Sequence, residues 1–505
     1  MENRSENNRR LVKNTFALYC RTAIVMVVSL VVTRYLLKVL GANDYGLYNV
    51  VASVVVLFSF LNASMTQAIQ RFLTFEIGRD NKEAFTRVYS MSFITQLLMI
   101  VFLIILCEAI GVWYINFKLN IDPERLGAAN WAFQLSILTF SISFLRVPYE
   151  SSVIAYEKMS FFAYVSILDA LLKLGIVFLL SITPSDKLIS YAVLLAVETF
   201  FVFLAYRFYC RYKFDACRFK FIWDKQLLAD LLSFSGWTVC SSTTDVITQN
   251  GVVLLLNYYV SLVANAAMGV ANQVSAAVKS FVAGFQTSFR PQIVKAYAQN
   301  DRSYLNSLIT KTSKISFIMV FLPAIVLIVN APLILQIWLT EVPEYTVSFC
   351  RLLLICCVID GVTGPYNCAI MATGQIKNYQ IAISLSFLLD FLLCWLALKM
   401  GFSPHYILIF RVLTRGILNM IIGLFYLKKL VGFGLRDYTI EVFRPILIFL
   451  LLFLPIMIFI GLSFSSWGLF VASSSYCVIV GGSLSLFVIL NKAERRYLLS
   501  LVSKR

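Results

Sequence analysis

Divided every 30 to 40 residues, the chain gives in almost every piece about 20 consecutive, mostly apolar residues. The runs at 88–113, 443–460 and 467–490 are examples. Wound as a helix rising about 1.5 Å per residue, each crosses the roughly 30 Å of a bilayer's hydrocarbon core. A helix in a water-soluble core needs only an apolar stripe. All-round hydrophobicity repeated this often points to helices surrounded by lipid, which satisfy their own backbone hydrogen bonds. The sequence predicts an all-α polytopic membrane protein.

Composition agrees: 60% of residues are hydrophobic and 14% charged, against about 25% charged in soluble domains. No polar stretch exceeds about 25 residues, which leaves no room for a soluble domain. The hydrophilic start at 1–14 precedes an apolar span too long for a signal peptide. No small-residue cleavage site follows, so this span is expected to be retained. The 11 cysteines are scattered, with only Cys356 and Cys357 adjacent and no metal-ligand spacing; they read as small packing residues.

About fourteen spans are expected, near 14–38, 47–70, 88–113, 128–151, 161–181, 188–208, 231–258, 262–288, 311–337, 346–373, 379–400, 405–427, 443–463 and 467–490. The spans at 231–258 and 262–288 are rich in Ser, Thr, Asn, Gln and Gly, and are expected to face water or a neighbouring helix rather than lipid. Lys and Arg concentrate in alternate connections: 4–13, 71–87, 207–225, 290–314, 428–444 and 492–505. Segments such as 259–261 and 464–466, on the other side, carry none. By the positive-inside rule both termini are cytoplasmic. The net charge of +17 is therefore first a signal of topology, and charges that alternate with spans argue against nucleic-acid binding.

The two halves echo each other at about 220 residues. Pro148-Tyr149 and Ile154-Ala155 correspond to Pro365-Tyr366 and Met371-Ala372. Leu168-Asp169 and Leu171-Leu172 correspond to Leu389-Asp390 and Leu392-Leu393, and Gln70-Arg71 more loosely to Phe289-Arg290. The repeat unit holds an even number of spans, so the halves are related by an axis along the membrane normal. The expected domains are a six-helix lobe at 1–210, a second at 211–430, and two appended helices with a tail at 431–505. Two facing lobes that rock open to either side make a transporter.

Eight basic residues fall within the spans: Arg21, Arg34, Arg146, Lys173, Lys279, Arg351, Arg411 and Arg415. Each costs about 2.5–3.5 kcal/mol near a helix centre unless it pairs, snorkels or meets water. Asp169 and Lys173, four apart, can form a structural pair. Asp390 is the acidic group nearest in depth to Arg411 and Arg415, and a second structural pair, Asp390 with Arg415, is expected, with substrate contact the alternative for both pairs. Arg21, Arg34 and Lys279 have no acidic neighbour in their own helices. Arg21 and Lys279 sit at similar depths and would form a cationic wall for a phosphate or carboxylate, or else pair structurally; Arg34, near a span end, is also open to snorkelling. Asp245 and Asp360 are candidates for carrying a coupling proton or sodium ion, or for balancing these cations.

Signals of soluble-enzyme chemistry are missing. His405 is the single histidine, and the chain has no phosphate loop and no G-x-S-x-G elbow. Neither a catalytic residue, a metal site nor a cofactor is expected.

The segment 34–48, RYLLKVLGANDYGLY, resembles the start of bacterial polysaccharide (O-antigen) flippases, members of the multidrug/oligosaccharidyl-lipid/polysaccharide exporter superfamily. There a first helix ends in a Leu-Gly turn followed by an acidic residue, an aromatic and Gly-Leu-Tyr, here Leu40-Gly41, Asp44, Tyr45 and Gly46-Leu47-Tyr48. The resemblance implies a V-shaped two-lobe fold in a bacterial inner membrane, with spans 1, 2, 7 and 8 lining a cleft. It implies a polyprenyl-diphosphate-linked oligosaccharide as substrate, turned from the cytoplasmic to the external leaflet for surface polysaccharide synthesis. Arg21 and Lys279 stand on helices comparable to those that contact the diphosphate in related lipid II flippases. Beyond this substrate and membrane lipids, the implied partners are polysaccharide polymerase and glycosyltransferases. Two other functions stay open: a drug/cation exporter of the same superfamily, kept in view by Asp245, and a non-transporting scaffold for polysaccharide-synthesis enzymes.

Overall fold

The computed structural model describes residues 18–495 except 19, 30, 37, 42–43, 45–46, 49–50, 52–57, 118–122, 340–341, 464–465 and 492–493. Tyr45 and Gly46 of the turn motif, the basic segment 4–13 and most of 492–505 lie outside the described residues. Among those described, 11 helices are long and apolar enough to cross a membrane. They are α1 (Cys20–Gly41), α3 (Lys82–Ala109), α4 (Pro123–Ala155), α5 (Met159–Ile182), α6 (Lys187–Lys213), α9 (Arg302–Val329), α10 (Thr346–Ala372), α11 (Lys377–Lys399), α12 (His405–Val431), α13 (Leu435–Gly461) and α14 (Trp467–Ile489). Three more, α2 (Ser59–Gly78), α7 (Lys225–Tyr259) and α8 (Leu262–Ala298), take the places of the second, seventh and eighth spans. Polar residues such as Gln67 and Gln70 on α2, Asp245 and Gln249 on α7, and Asn272 and Lys279 on α8 keep them from reading as lipid-facing. The chain is an all-α, multi-pass membrane protein.

The connections are shorter than charge alone suggests. α8 continues through Arg290 and Lys295 to Ala298, and α9 begins at Arg302, so most of the basic segment 290–314 is helix. Likewise only residues 79–81 separate α2 from α3. A helix keeps its backbone groups paired beyond the hydrocarbon, while long basic side chains reach water from it.

The duplication extends to turn geometry. Pro148 and Pro365 lie inside α4 and α10, which end at Ala155 and Ala372. Asp80 and Asn300, ahead of α3 and α9, both adopt positive φ (54° and 55°), a left-handed conformation that Asp and Asn tolerate better than most residues. The next residues, Asn81 and Asp301, cap the two helices by accepting from the backbone N–H of Ala84 and of Tyr304, each at 2.9 Å.

The chain divides inside α7 into two compact units, one ending at Val239 and the other beginning at Cys240. In the first, α4 packs against α2 and α6. Ala128, Ala129 and Ala132 of α4 are buried with Phe133, Leu188 and Ala192, the small side chains letting helices approach closely. In the second, Ala264, Ala267 and Ala271 of α8 meet Phe349, Cys350 and Leu353 of α10 in the same manner. The appended helices pack on α9: Phe321 meets Phe449 and Phe453 of α13 with ring centroids 5.7 Å apart. The opposite side of α13 exposes Leu447, Leu451 and Ile458, as a lipid-facing surface does.

Candidate functional site

The densest polar cluster of the second unit is built from α7, α8, α10, α11 and α12. At its base is Asp390 of α11, with no exposed surface. A carboxylate so placed needs both cationic and hydrogen-bonding partners. Asp390 accepts from Thr414 Oγ1 at 2.9 Å and Arg415 Nε at 2.7 Å, with Arg411 Nε 3.5 Å away. Thr414 and Arg415 lie on a π-helical turn, Val412–Leu418, a widening of the helix often found at functional sites.

Arg415 uses its whole guanidinium. Nη1 pairs with Asp245 of α7, Nη2 donates to Thr248 Oγ1 at 2.6 Å, and the group lies 4.5 Å from the ring centre of Phe387. Asp245 also accepts from Gln249 at 2.9 Å. One side chain thus joins α7, α11 and α12. Over this network lies a cavity of about 170 Å³, lined by Asp245, Gln249, Asn272, Ser275, Lys279, Leu353, Cys356, Asp360, Phe387, Arg411, Arg415 and Asn419. Lys279 is exposed and, among the described residues, stands in no ion pair; Asp360 lies within its electrostatic range.

The first unit holds a second cluster. Arg21 of α1 is half-buried with its guanidinium 4.8 Å from the ring centre of Phe162. Its buried Nε has no hydrogen-bond partner, and Tyr206, Glu150 and Asp169 lie within electrostatic range. Arg146 pairs with Glu150 at 3.3 Å, and Lys173 donates to Asp169 at 2.9 Å. Arg34, farther along α1, is exposed. At the α1–α2 turn, Gly41 takes φ +76°, which suits a residue without a side chain. Asp44 then receives two donors of Arg125, whose third nitrogen pairs with Asp186, the N-cap of α6.

Of the expected site residues, the structure joins Asp390 with Arg415 and Asp169 with Lys173. It gives Asp245 to Arg415 and places Lys279 and Asp360 on the wall of one cavity. Arg21 belongs to the first unit and Lys279 to the second. Sequence reasoning missed Phe387, Asn419 and the role of Arg125, and had Thr248 and Asn272 only as members of the polar stretches of the seventh and eighth spans. The acidic neighbours of Arg21 come from α4 and α5 and not from its own helix, and the neighbour of Lys279 is Asp360 of α10, one of the two carboxylates expected to carry a coupling ion or balance the cations.

A family model described as polysaccharide biosynthesis protein matches residues 11–297, and one described as MatE matches 241–396. No curated protein matches the chain. Several solved structures share its fold. An outward-facing multidrug resistance MATE family transporter of the MOP superfamily is 13% identical, with a TM-score of 0.74 over 84% of this chain and 96% of that one. A MATE structure in complex with MaD3S is 13% identical, with a TM-score of 0.74 over 85% and 97%. A MOP superfamily transporter from Pyrococcus furiosus, with a binding pocket of reverse polarity, is 13% identical, with a TM-score of 0.71 over 83% and 96%. With the first family match covering more than half of its length, the chain belongs to the polysaccharide biosynthesis protein family, and it has the fold of the MATE and MOP superfamily transporters above.

Proposed function

We propose that this transporter is a flippase, turning a polyprenyl-diphosphate-linked oligosaccharide from the cytoplasmic to the external leaflet of a bacterial inner membrane by alternating access. Both termini are then cytoplasmic. The observation that carries this reading is a contrast among the basic residues of the spans. Arg146, Lys173, Arg411 and Arg415 stand in ion pairs, and Arg351 donates to the carbonyl of Ile328 at 2.9 Å. Among the described residues, Arg21, Arg34 and Lys279 stand in none. A diphosphate needs cations that retain charge to offer; a guanidinium supplies directed donors and an ammonium a compact charge. Arg21 and Lys279 are assigned this role, with Arg34 an additional contact along α1.

The test is Arg21→Ala, Arg21→Lys and Lys279→Ala in the native host, reading surface glycan, lipid-linked precursor on the cytoplasmic side, and protein level. Both alanine variants are expected to lose surface glycan and accumulate precursor at normal protein level. Arg21→Lys is expected to retain part of the activity. Normal surface glycan in both alanine variants would remove these residues from the site.

A second reading, a drug or cation exporter, is favoured by the MatE match at 241–396 and by Asp245 and Asp360 on the cavity wall. Because Arg415 already holds Asp245, Asp360 is the carboxylate left for a transported or coupling cation. Deleting the gene separates the readings: loss of surface glycan supports the flippase, and intact glycan with raised drug sensitivity supports the exporter.

A further inference from the structure

We propose that the connection between α6 and α7 binds anionic phospholipid, laying an aromatic and basic face against the headgroups and upper acyl chains of one leaflet. The proposal holds whatever the cargo is.

The connection, residues 214–224, is fixed by what it packs on. Phe214 stacks on Tyr156 with ring centroids 4.1 Å apart, and Phe214 and Cys217 are buried. Thr86 Oγ1 of α3 donates to the carbonyl of Ala216 at 3.1 Å, and the Lys220 N–H donates to Ser90 Oγ at 3.0 Å. Phe219 meets Phe93 with centroids 6.0 Å apart. Thr86, Ser90 and Phe93 lie on one face of α3, since every third or fourth residue of a helix returns to the same side. Farther along, that face carries Leu97, Val101 and Ile105, all exposed as a lipid-facing stripe is. The connection therefore crosses the lipid-facing side of α3 where its polar start gives way to its apolar run, which is the level of the headgroups.

Its outward side fits that place. Phe219, Phe221 and Trp223 are exposed, Phe221 by 80%. Three large rings so close together are costly to leave in water, and aromatic side chains collect where hydrocarbon meets headgroups. Arg218 and Lys220 alternate with the first two rings, and Arg207, Arg211, Lys213 and Lys225 flank them, all exposed. Only Asp215 and Asp224 oppose these six cations within 207–225. Asp224 caps α7, accepting from the Leu227 N–H at 3.0 Å, and faces Arg87 at 3.8 Å. Asp215 meets Arg218 in an exposed pair, which is weak. The other five cations stand in no ion pair among the described residues. A charge surplus by itself marks only a side of the membrane; set among rings on a fixed backbone, it makes a surface that selects anionic over zwitterionic headgroups. A soluble acidic protein would answer the charge but not the position beside the apolar run of α3.

The full-length protein is to be reconstituted in phosphatidylcholine containing a fixed fraction of phosphatidylglycerol or phosphatidylcholine brominated near the top of the acyl chains. Bromine quenches a nearby indole, and the contribution of Trp223 among the 7 tryptophans is the difference between the parent protein and Trp223→Phe. The expected result is quenching of Trp223 several-fold stronger by the brominated anionic lipid than by the zwitterionic one. That difference should vanish in Arg218→Gln/Lys220→Gln and shrink in Lys220→Gln alone, with thermal melting confirming that each variant is folded. An unquenched Trp223 would overturn the proposal, leaving the connection in water and open to an acidic protein. Equal quenching by the two lipids would overturn it by removing the selection. Full selection in either folded glutamine variant would do the same by placing the responsible charges elsewhere.

Discussion

At the scale of single residues, the membrane charges divide into those that hold the protein together and those left to act. Asp390 is of the first kind: removing it strands Arg411 in a buried setting and leaves Arg415 only Asp245 as counter-charge, and breaking a buried charge pair costs about 3–5 kcal/mol. Asp390→Ala is therefore expected to lower the melting temperature of the purified protein and its level in the membrane. Arg21→Ala, which removes a half-buried cation in no ion pair, is expected to leave both near normal while transport is lost. Equal melting temperatures for Asp390→Ala and the parent protein would contradict the structural role. The pairing of Asp390 with Arg415 could be read from the sequence, because adjacent spans place the two at one depth. The link from Arg415 to Asp245 could not. Those residues lie on helices remote in sequence, and only the packing of α7 beside α11 and α12 brings them together.

Elements are tied to one another where chain direction changes. The Arg125 guanidinium holds Asp44, three residues beyond the end of α1, and Asp186, at the start of α6, while itself standing near the start of α4. Hydrogen bonds to charged groups contribute about 1.5–3 kcal/mol, and these side chains are partly exposed, so the lower part of that range applies. Arg125→Ala should lower the melting temperature modestly, with Arg125→Lys recovering only part because an ammonium cannot reproduce the forked geometry. A melting curve unchanged by Arg125→Ala would show that the tie is dispensable. Helices were readable from hydropathy alone wherever lipid surrounds them. Those rich in polar residues, α7 and α8, were harder, and the basic segment beyond the apolar part of α8 continued as helix where charge suggested a loop. The π-helical turn that presents Arg415 left no mark in the sequence, since its residues pass as an ordinary helical stretch.

For the molecule as a whole, duplication is the organising fact. Proline positions, left-handed turn residues and helix caps recur at nearly the same interval, so each half folds by the same local rules. The halves have diverged most in their charges. Lys173 follows Asp169 by one turn in the first unit; in the second, Asp390 is matched from the next helix by Arg411 and Arg415. The proposed orientation makes a direct prediction. Cysteine introduced for Ser261, between α7 and α8, should react with a membrane-impermeant maleimide in intact cells. Cysteine introduced for Arg218, between α6 and α7, should react only after permeabilisation, with background from the exposed Cys20 and Cys240 subtracted. The reverse pattern would invert the topology and place the proposed diphosphate contacts near the wrong leaflet.

The central claim is that this protein moves a diphosphate-linked glycolipid between leaflets, and reconstitution addresses it most directly. Purified protein in liposomes containing a polyprenyl-diphosphate-linked oligosaccharide would be followed by the fraction of glycan open to an enzyme added outside. The account predicts that protein accelerates the exchange of glycan between leaflets, and that Arg21→Ala and Lys279→Ala abolish the acceleration while remaining folded. Exchange no faster than in protein-free liposomes, with the same preparation folded and correctly inserted, would contradict it.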